Sequence, residues 1–364
     1  MDFNKLVTTL FVCLLLALSG CANIGVTSQQ QASFLETKQL ALVKNYNALR
    51  MHILNVGNGN CVILEAPKAS HLLIADCGSV SNNGAMNRDA VKQYISNIVS
   101  QYPQGIAISV IISHADKDHY NYLPFVIDGR EPYQVFLGGA VPFNGVADCF
   151  SYGNYNETKD WLNKYASKVA FNFAGQTAML GDAAVYFLAN NTGVDLSKKE
   201  CVPANIKNTA SAVAKVAYSN KSILLTGDAT DPALTASYIA NGNNLQTNVL
   251  ISPHHGATTD GSNSSWFSGI NRPELIIFSA GSHAGYKHPR CDSYRNFEFI
   301  VNPNVANHCV TCSETYGPLK GQRRFFETNK AEYSTQTNGS FVVDIANMKM
   351  NIYPQFLNKD NLCY

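Results

Sequence analysis

An excess of charge of either sign is missing from this sequence. Lys and Arg number 27 and Asp and Glu 26, a net charge of +1, and the near-balance survives removal of Asp2 and Lys5 with the first twenty residues. That balance argues against a dedicated groove for long polyanions. The chain also lacks a Pro/Ser-rich linker, a heptad run and any fixed-period repeat, so one domain is favoured over a string of units. Its apolar run from Leu6 to Leu18 falls short of the roughly 18 or more residues that a mature membrane-spanning helix needs. What is present is 364 residues, 46% hydrophobic and only 15% charged, enough to bury a full core.

Lys5, the apolar run and then Leu18-Ser19-Gly20-Cys21 together resemble a bacterial lipoprotein signal. The resemblance implies a signal peptide over 1–20, cleavage before Cys21 and lipidation of its thiol; the alternative is a secretory peptide with an incidental Cys21. Ala22 after that Cys resembles outer-membrane sorting signals, so the resemblance implies the outer membrane rather than inner-membrane retention. A polar tether over 21–44, carrying Gln29, Gln30 and Gln31, would then lead to a folded domain over 45–364. Cys61, Cys77, Cys149, Cys201, Cys291, Cys309, Cys312 and Cys363 remain. In an oxidising periplasm this even set permits disulfides, in on the order of a hundred connectivities. Cys61 and Cys77 sit on two predicted strands arranged symmetrically about Ala69, and either face each other or are two small buried thiols. Cys309-x-x-Cys312 has no second pair to complete a zinc site and reads as a disulfide staple within an inserted loop.

The apolar runs 51–56, 61–65 and 71–76 predict an antiparallel meander. Asn87 caps a helix whose apolar face is Val91, Tyr94, Ile95, Ile98 and Val99. The continuous run 106–112 predicts a strand covered on both faces, ending at Ser113-His114. A further strand is expected over 133–137, then an insertion near 144–165. The runs 211–218 and 222–226 form a hairpin ending at Gly227-Asp228, followed by a helix from Asp231-Pro232. Strands over 248–252, ending at Pro253-His254-His255-Gly256, and over 274–279, ahead of His288-Pro289, follow. A Cys-bearing loop is expected over 291–324, and strands over 341–345 and 350–353 close the chain.

Several of these strands end in His or Asp, and in an α/β sandwich neighbouring strand ends meet on one rim. His114-Ala115-Asp116-Lys117-Asp118-His119 places four potential metal ligands at one strand exit. A tight turn there can aim His114 and Asp116 to one side and Asp118 and His119 to another, enough for two cations a few Å apart. Asp228, His254 and His288 stand at later strand ends. His52, His71, His283 and His308 lack such a context and read as structural or surface residues.

These residues resemble the metallo-β-lactamase-fold hydrolases, whose motif is His-x-His-x-Asp-His. Here Asp116 stands at the second His, a variant similar to the hydrolase domain of the competence protein ComEC and its stand-alone relatives. The likeness runs in order through His52 to Asn60, Ile74-Ala75-Asp76-Cys77-Gly78, Asn208-x-x-Ser211, Leu225-Thr226-Gly227-Asp228, His254-His255-Gly256 and Gly285-x-x-His288-Pro289. It implies a four-layer αβ/βα sandwich and two divalent ions, zinc, manganese or iron. His114 and Asp116 would hold one ion and Asp118 and His119 the other, with Asp228 bridging and His254 or His288 as the last ligand. Asn208 replaces the family's third-motif His as a weak oxygen ligand or a partner of the ligands, and Asp76 is a supporting residue. Asn55, Asn58 and Asn60 replace family acidic or amide residues, which weakens any case for that loop in substrate handling.

The expected chemistry is hydrolysis by a metal-activated hydroxide. Asp118 would orient the hydroxide, and whichever of His254, His255 and His288 is not a ligand would steady the developing anion or protonate the leaving group. A carboxylate at 116 hardens the site toward manganese or iron. Small phosphodiesters are the favoured substrates. A lactone, thioester or β-lactam is the alternative within enzymes, and a non-catalytic envelope-binding lipoprotein is the alternative outside them.

Overall fold

The computed structural model describes residues 48–354 apart from 70, 83, 84, 103, 152–155, 282, 284, 303, 304, 347 and 348. The expected signal peptide, Cys21 and tether lie outside the described residues. The chain opens with β1 (Leu49–Ile53), β2 (Cys61–Glu65) and β3 (His71–Cys77), an antiparallel meander. The helix Arg88–Val99 follows, its Asn87 side chain accepting from the Ala90 amide at 2.9 Å, so the cap and the apolar spacing act together. β4 (Ala107–Ile112), β5 (Gln134–Leu137) and β6 (Val169–Ala170) then join in parallel beside β3.

The second half supplies β7 (Thr177–Leu180), β8 (Ala183–Ala189), β9 (Val213–Tyr218), β10 (Lys221–Leu225), β11 (Val249–Ile251) and β12 (Leu275–Phe278). β9 and β10 form the expected hairpin through Ser219 and Asn220, and Ser219 takes the left-handed φ of 57° that the tight turn requires. After β12 come β13 (His308–Ser313), β14 (Arg323–Thr328), β15 (Glu332–Ser334), β16 (Phe341–Ala346) and β17 (Lys349–Pro354). One sheet runs β17-β16-β1-β2-β3-β4-β5-β6, the other β15-β12-β11-β10-β9-β8-β7, and β13 and β14 pair separately.

Strand alternation explains how these sheets stack. Ile111 and Leu73 point between the sheets, meeting Val216, Ile223 and Ile277 from the other side. Val110 and Ile112 point outward under Val91, Tyr94 and Ile98 of the first helix. On the far side, Leu224, Leu250 and Ile276 lie under Leu234, Phe267 and Phe297 of the helices Asp231–Ala240, Ser265–Asn271 and Cys291–Phe297. Three apolar layers separate four structural layers, which is the expected αβ/βα sandwich. The buried Arg50 ties the closing strand to the meander through Asp344 at 2.9 Å and Glu65 at 3.3 Å.

Two expectations need correction. Residues 291–324 are not a loop: they contain the helix Cys291–Phe297, β13 and the start of β14. Cys309 and Cys312 are not stapled to each other, because Cys312 bonds Cys291. Adjacent strand faces explain it: Cys312 is buried on the side of β13 that meets the helix, whereas Cys309 lies on the other face. Cys61 does bond Cys77, and Cys149 bonds Cys201. β6, β7, β8 and β15 are not evident from the sequence. Replacing both Cys61 and Cys77 by Ser should lower the unfolding free energy by about 2–4 kcal/mol, measured by urea titration without reductant.

Candidate metal centre

Strands from both sheets deliver their C-terminal ends to one rim. β3 brings Asp76, β4 brings Ser113 and His114, β10 brings Asp228, β11 brings His254 and His255, and β12 brings Ser279. Close approach there depends on glycine at 227, where φ is +51° and an added Cβ would lie 2.4 Å from the Ser113 Cβ. His254 and His255 both adopt left-handed backbone, φ 51° and 54°. Such strain costs of order 1–3 kcal/mol per residue and persists where surrounding bonds fix it. Here the His254 amide donates to the Gly227 carbonyl at 3.0 Å and the His255 Nδ1–H donates to the Ser279 carbonyl at 2.6 Å.

Three histidines share one arrangement. His119 has its Nδ1 on the Asp76 carboxylate at 2.8 Å, His255 on the Ser279 carbonyl at 2.6 Å, and His114 on the Ser113 hydroxyl at 3.1 Å. Tying Nδ1 leaves each Nε2 as the free ring nitrogen. All three aim it at Asp228: His119 at 3.2 Å and His255 at 3.4 Å from Oδ1, His114 at 3.8 Å from Oδ2. Yet these three Nε2 atoms and Asp228 Oδ1 are buried without a hydrogen-bond partner. Polar atoms orphaned in this way are costly. Ligand atoms around one cation, each about 2.0–2.2 Å from it, stand about 3–3.5 Å apart, close to the spacings seen here.

Two groups emerge, His114 with His119 and Asp228, and Asp118 with His119 and His255. All five residues stand out in the sequence, but His114 and His119, expected on different ions, share the first group, and His255 rather than His254 or His288 joins the second. Its Nε2 lies 3.5 Å from Asp118 Oδ2. His254 faces the same Asp228 oxygen as His114, its Nε2 3.8 Å from Oδ2, and lies 3.2 Å from the Asn208 amide nitrogen. His288 is one layer further out, 5.4 Å from the His254 ring. Asp116 Oδ2 is 3.4 Å from His114 Nε2, but its Oδ1 accepts from Lys207 Nζ at 2.9 Å. Lys207 was missed by sequence reading; its place beside Asn208, in a block already matched to the family pattern, was the available signal.

Electrostatics follow the same division. Burial opposes charge on His119, but the Asp228 and Asp76 carboxylates outweigh it and hold the imidazole well above its usual pKa. His255 is raised in the same way, against burial, by Asp228 and Asp118. Burial likewise opposes charge on Asp228, yet the surrounding histidines hold it well below the usual carboxylate range. Asp116 is also low despite burial, through His114 and Lys207. His254 is pushed down by burial, and His288 is pushed to about 2 by burial with His254 adding.

The supporting shell reaches into the opening meander. Asp76 accepts from the Ser113 amide at 2.7 Å, the Ser113 hydroxyl at 2.8 Å and the Asn60 amide at 3.2 Å. The Asn60 backbone N–H donates to the Asp118 carbonyl at 3.1 Å, so the 57–60 loop clamps the ligand-bearing turn. Outside the centre, His52 shares a hydrogen bond with Tyr94 at 2.6 Å and burial with Arg50 lowers it to about 3. His71 shares one with Ser109, His308 Nε2 donates to the Glu332 carbonyl, and His283 stacks on Tyr286.

No protein-family model and no curated protein matches the chain. Among solved structures it is similar to the metallo-β-lactamase-fold protein YhfI from Bacillus subtilis, with 14% identity and a TM-score of 0.38 over 76% of this chain and 100% of that one. It is similar to unliganded yeast PDE1, with 13% identity and a TM-score of 0.41 over 70% and 96%. A possible metal-dependent hydrolase from Veillonella parvula gives 12% identity and a TM-score of 0.39 over 76% and 98%.

Replacing Asp76 by Asn should weaken divalent-metal affinity by about 10–100-fold, because His119 loses the carboxylate that orients it; titration against a competing chelator measures it. Lys207→Met should act in the opposite direction, tightening affinity by roughly tenfold, since it removes a cation and frees Asp116 Oδ1; the same titration decides.

Proposed function

We propose that this chain is a metal-dependent hydrolase acting on a small phosphodiester. The observation that carries the reading is the convergence of three Nδ1-anchored histidines on Asp228 with their Nε2 atoms unpartnered. His114, Asp116 and Asp228 would hold one divalent ion, and Asp118, His119, His255 and Asp228 a second. When bound, such ions lower the pKa of a water and polarise the scissile phosphoryl oxygen. A set of three carboxylates and three imidazoles suits manganese or iron as well as zinc.

The remaining chemistry falls to the protein. The Asp118 carboxylate, facing His255 at 3.5 Å, orients the attacking water and accepts its proton. The Lys207 ammonium, at 2.9 Å from Asp116, lies at the rim where an anionic ester would arrive and favours phosphate over a neutral lactam or lactone. His254 and His288, kept neutral by burial, offer ring N–H groups toward a leaving oxygen. Tyr286, 55% exposed and stacked on His283 with its ring parallel to His288 at 6.2 Å, forms a shelf for a planar substituent on the ester.

We also propose export as a lipoprotein with a folded hydrolase domain after residue 44. The Cys61–Cys77, Cys149–Cys201 and Cys291–Cys312 bonds support an oxidising compartment.

Protein stripped of metal and reloaded with manganese, iron or zinc should hydrolyse bis-p-nitrophenyl phosphate, and Asp118→Ala should reduce kcat by about 10²–10⁴-fold. Turnover of a chromogenic cephalosporin without diester turnover would overturn the substrate class. Failure on both substrates by fully metal-loaded protein would favour a binding role.

A further inference from the structure

The helix Cys291–Phe297 and the β13–β14 hairpin enclose a cavity of about 270 Å³ that shares no residue with the metal centre. Its polar floor is Glu332, 1% exposed, whose Oε1 has no hydrogen-bond partner. Its walls include the Tyr294 and Phe326 rings, edge to face at 5.5 Å. The cations at its mouth are already engaged. Arg295 donates to Asp292 at 2.7 Å and to both oxygens of Glu314 at 2.9 Å, and Arg324 reaches Glu314 at 3.8 Å. None of the ion pairs among the described residues reaches Glu298, Glu327 or Glu332, which all line the cavity. A buried acceptor without a donor, under an acidic mouth, is an energetic deficit that a cationic donor removes.

We propose that this cavity binds a small organic primary ammonium, its N–H groups bonded to Glu332 and its carbon chain against Phe326 and Tyr294. A bare metal ion fits less well, because among the described residues no three carboxylate, imidazole or thiol ligand atoms outside the metal centre lie close enough to share one. A quaternary ammonium could use the aromatic walls but has no N–H for Glu332. The volume limits the ligand to roughly ten to fifteen non-hydrogen atoms. Burial, with Glu298 adding and Lys330 opposing, raises the Glu332 carboxyl to about 8. A bound ammonium would favour the ionised form and pull that value back down.

Isothermal titration of the full chain with 1,4-diaminobutane tests the site, with tetramethylammonium and calcium chloride as comparators. Saturable one-site binding is expected for the diamine. It should be at least about tenfold weaker in Glu332→Gln, a change that removes charge while keeping shape. Asp118→Ala, which alters only the metal centre, should bind the diamine as the parent does. Absence of saturable binding, equal binding by Glu332→Gln, or equal affinity for calcium or tetramethylammonium would each overturn the proposal.

Discussion

His119 is held between two carboxylates, and the rest of the centre depends on that sandwich. Its Nδ1 meets Asp76 at 2.8 Å and its Nε2 faces Asp228 at 3.2 Å. Asp76 belongs to β3 of one sheet, whereas Asp228 follows β10 of the other. One imidazole therefore links the two sheets at their rim, alongside the bond from the Ala212 amide to the Ser113 carbonyl at 2.9 Å. Ser113, bonded to Asp76 through both its amide and its hydroxyl, carries the same constraint to His114. If this junction opened, no set of ligand atoms would remain within reach of a shared ion.

The cost of the arrangement is visible in the backbone and in the unpaired atoms. Consecutive left-handed residues at 254 and 255, a third at Asp76, and orphaned nitrogens on His114, His119, His254, His255 and His288 all occur within one rim. A core selected only for stability would replace these groups with apolar ones or close their hydrogen bonds. Concentrated strain and unsatisfied polarity are the marks of a site kept for a ligand. The Glu332 cavity carries a milder form of the same signature, on an element added outside the two sheets.

Much of this was legible in the sequence because its signals are local. Asn87 and the apolar face it precedes locate a helix, and the uninterrupted run before Ser113 locates a doubly covered strand. His114, Asp116, Asp118 and His119 mark a candidate cation site by crowding. What was not legible is set by distance in the chain. His254 and His255 are adjacent, so only the fold decides that His255 faces Asp118 while His254 turns toward Asn208. Lys207 meets Asp116 across a separation of 91 residues, and no spacing rule reports such a contact. The helix at 291–297 escaped notice because its apolar contacts, Cys291, Tyr294 and Phe297, occupy only two turns.

Anomalous diffraction from crystals of the full chain grown with manganese would locate the bound ions. Peaks are expected flanking Asp228, one beside His114 and the other among Asp118, His119 and His255. Manganese bound elsewhere, with the three Nε2 atoms and Asp228 remaining bare at saturating metal, would contradict that placement.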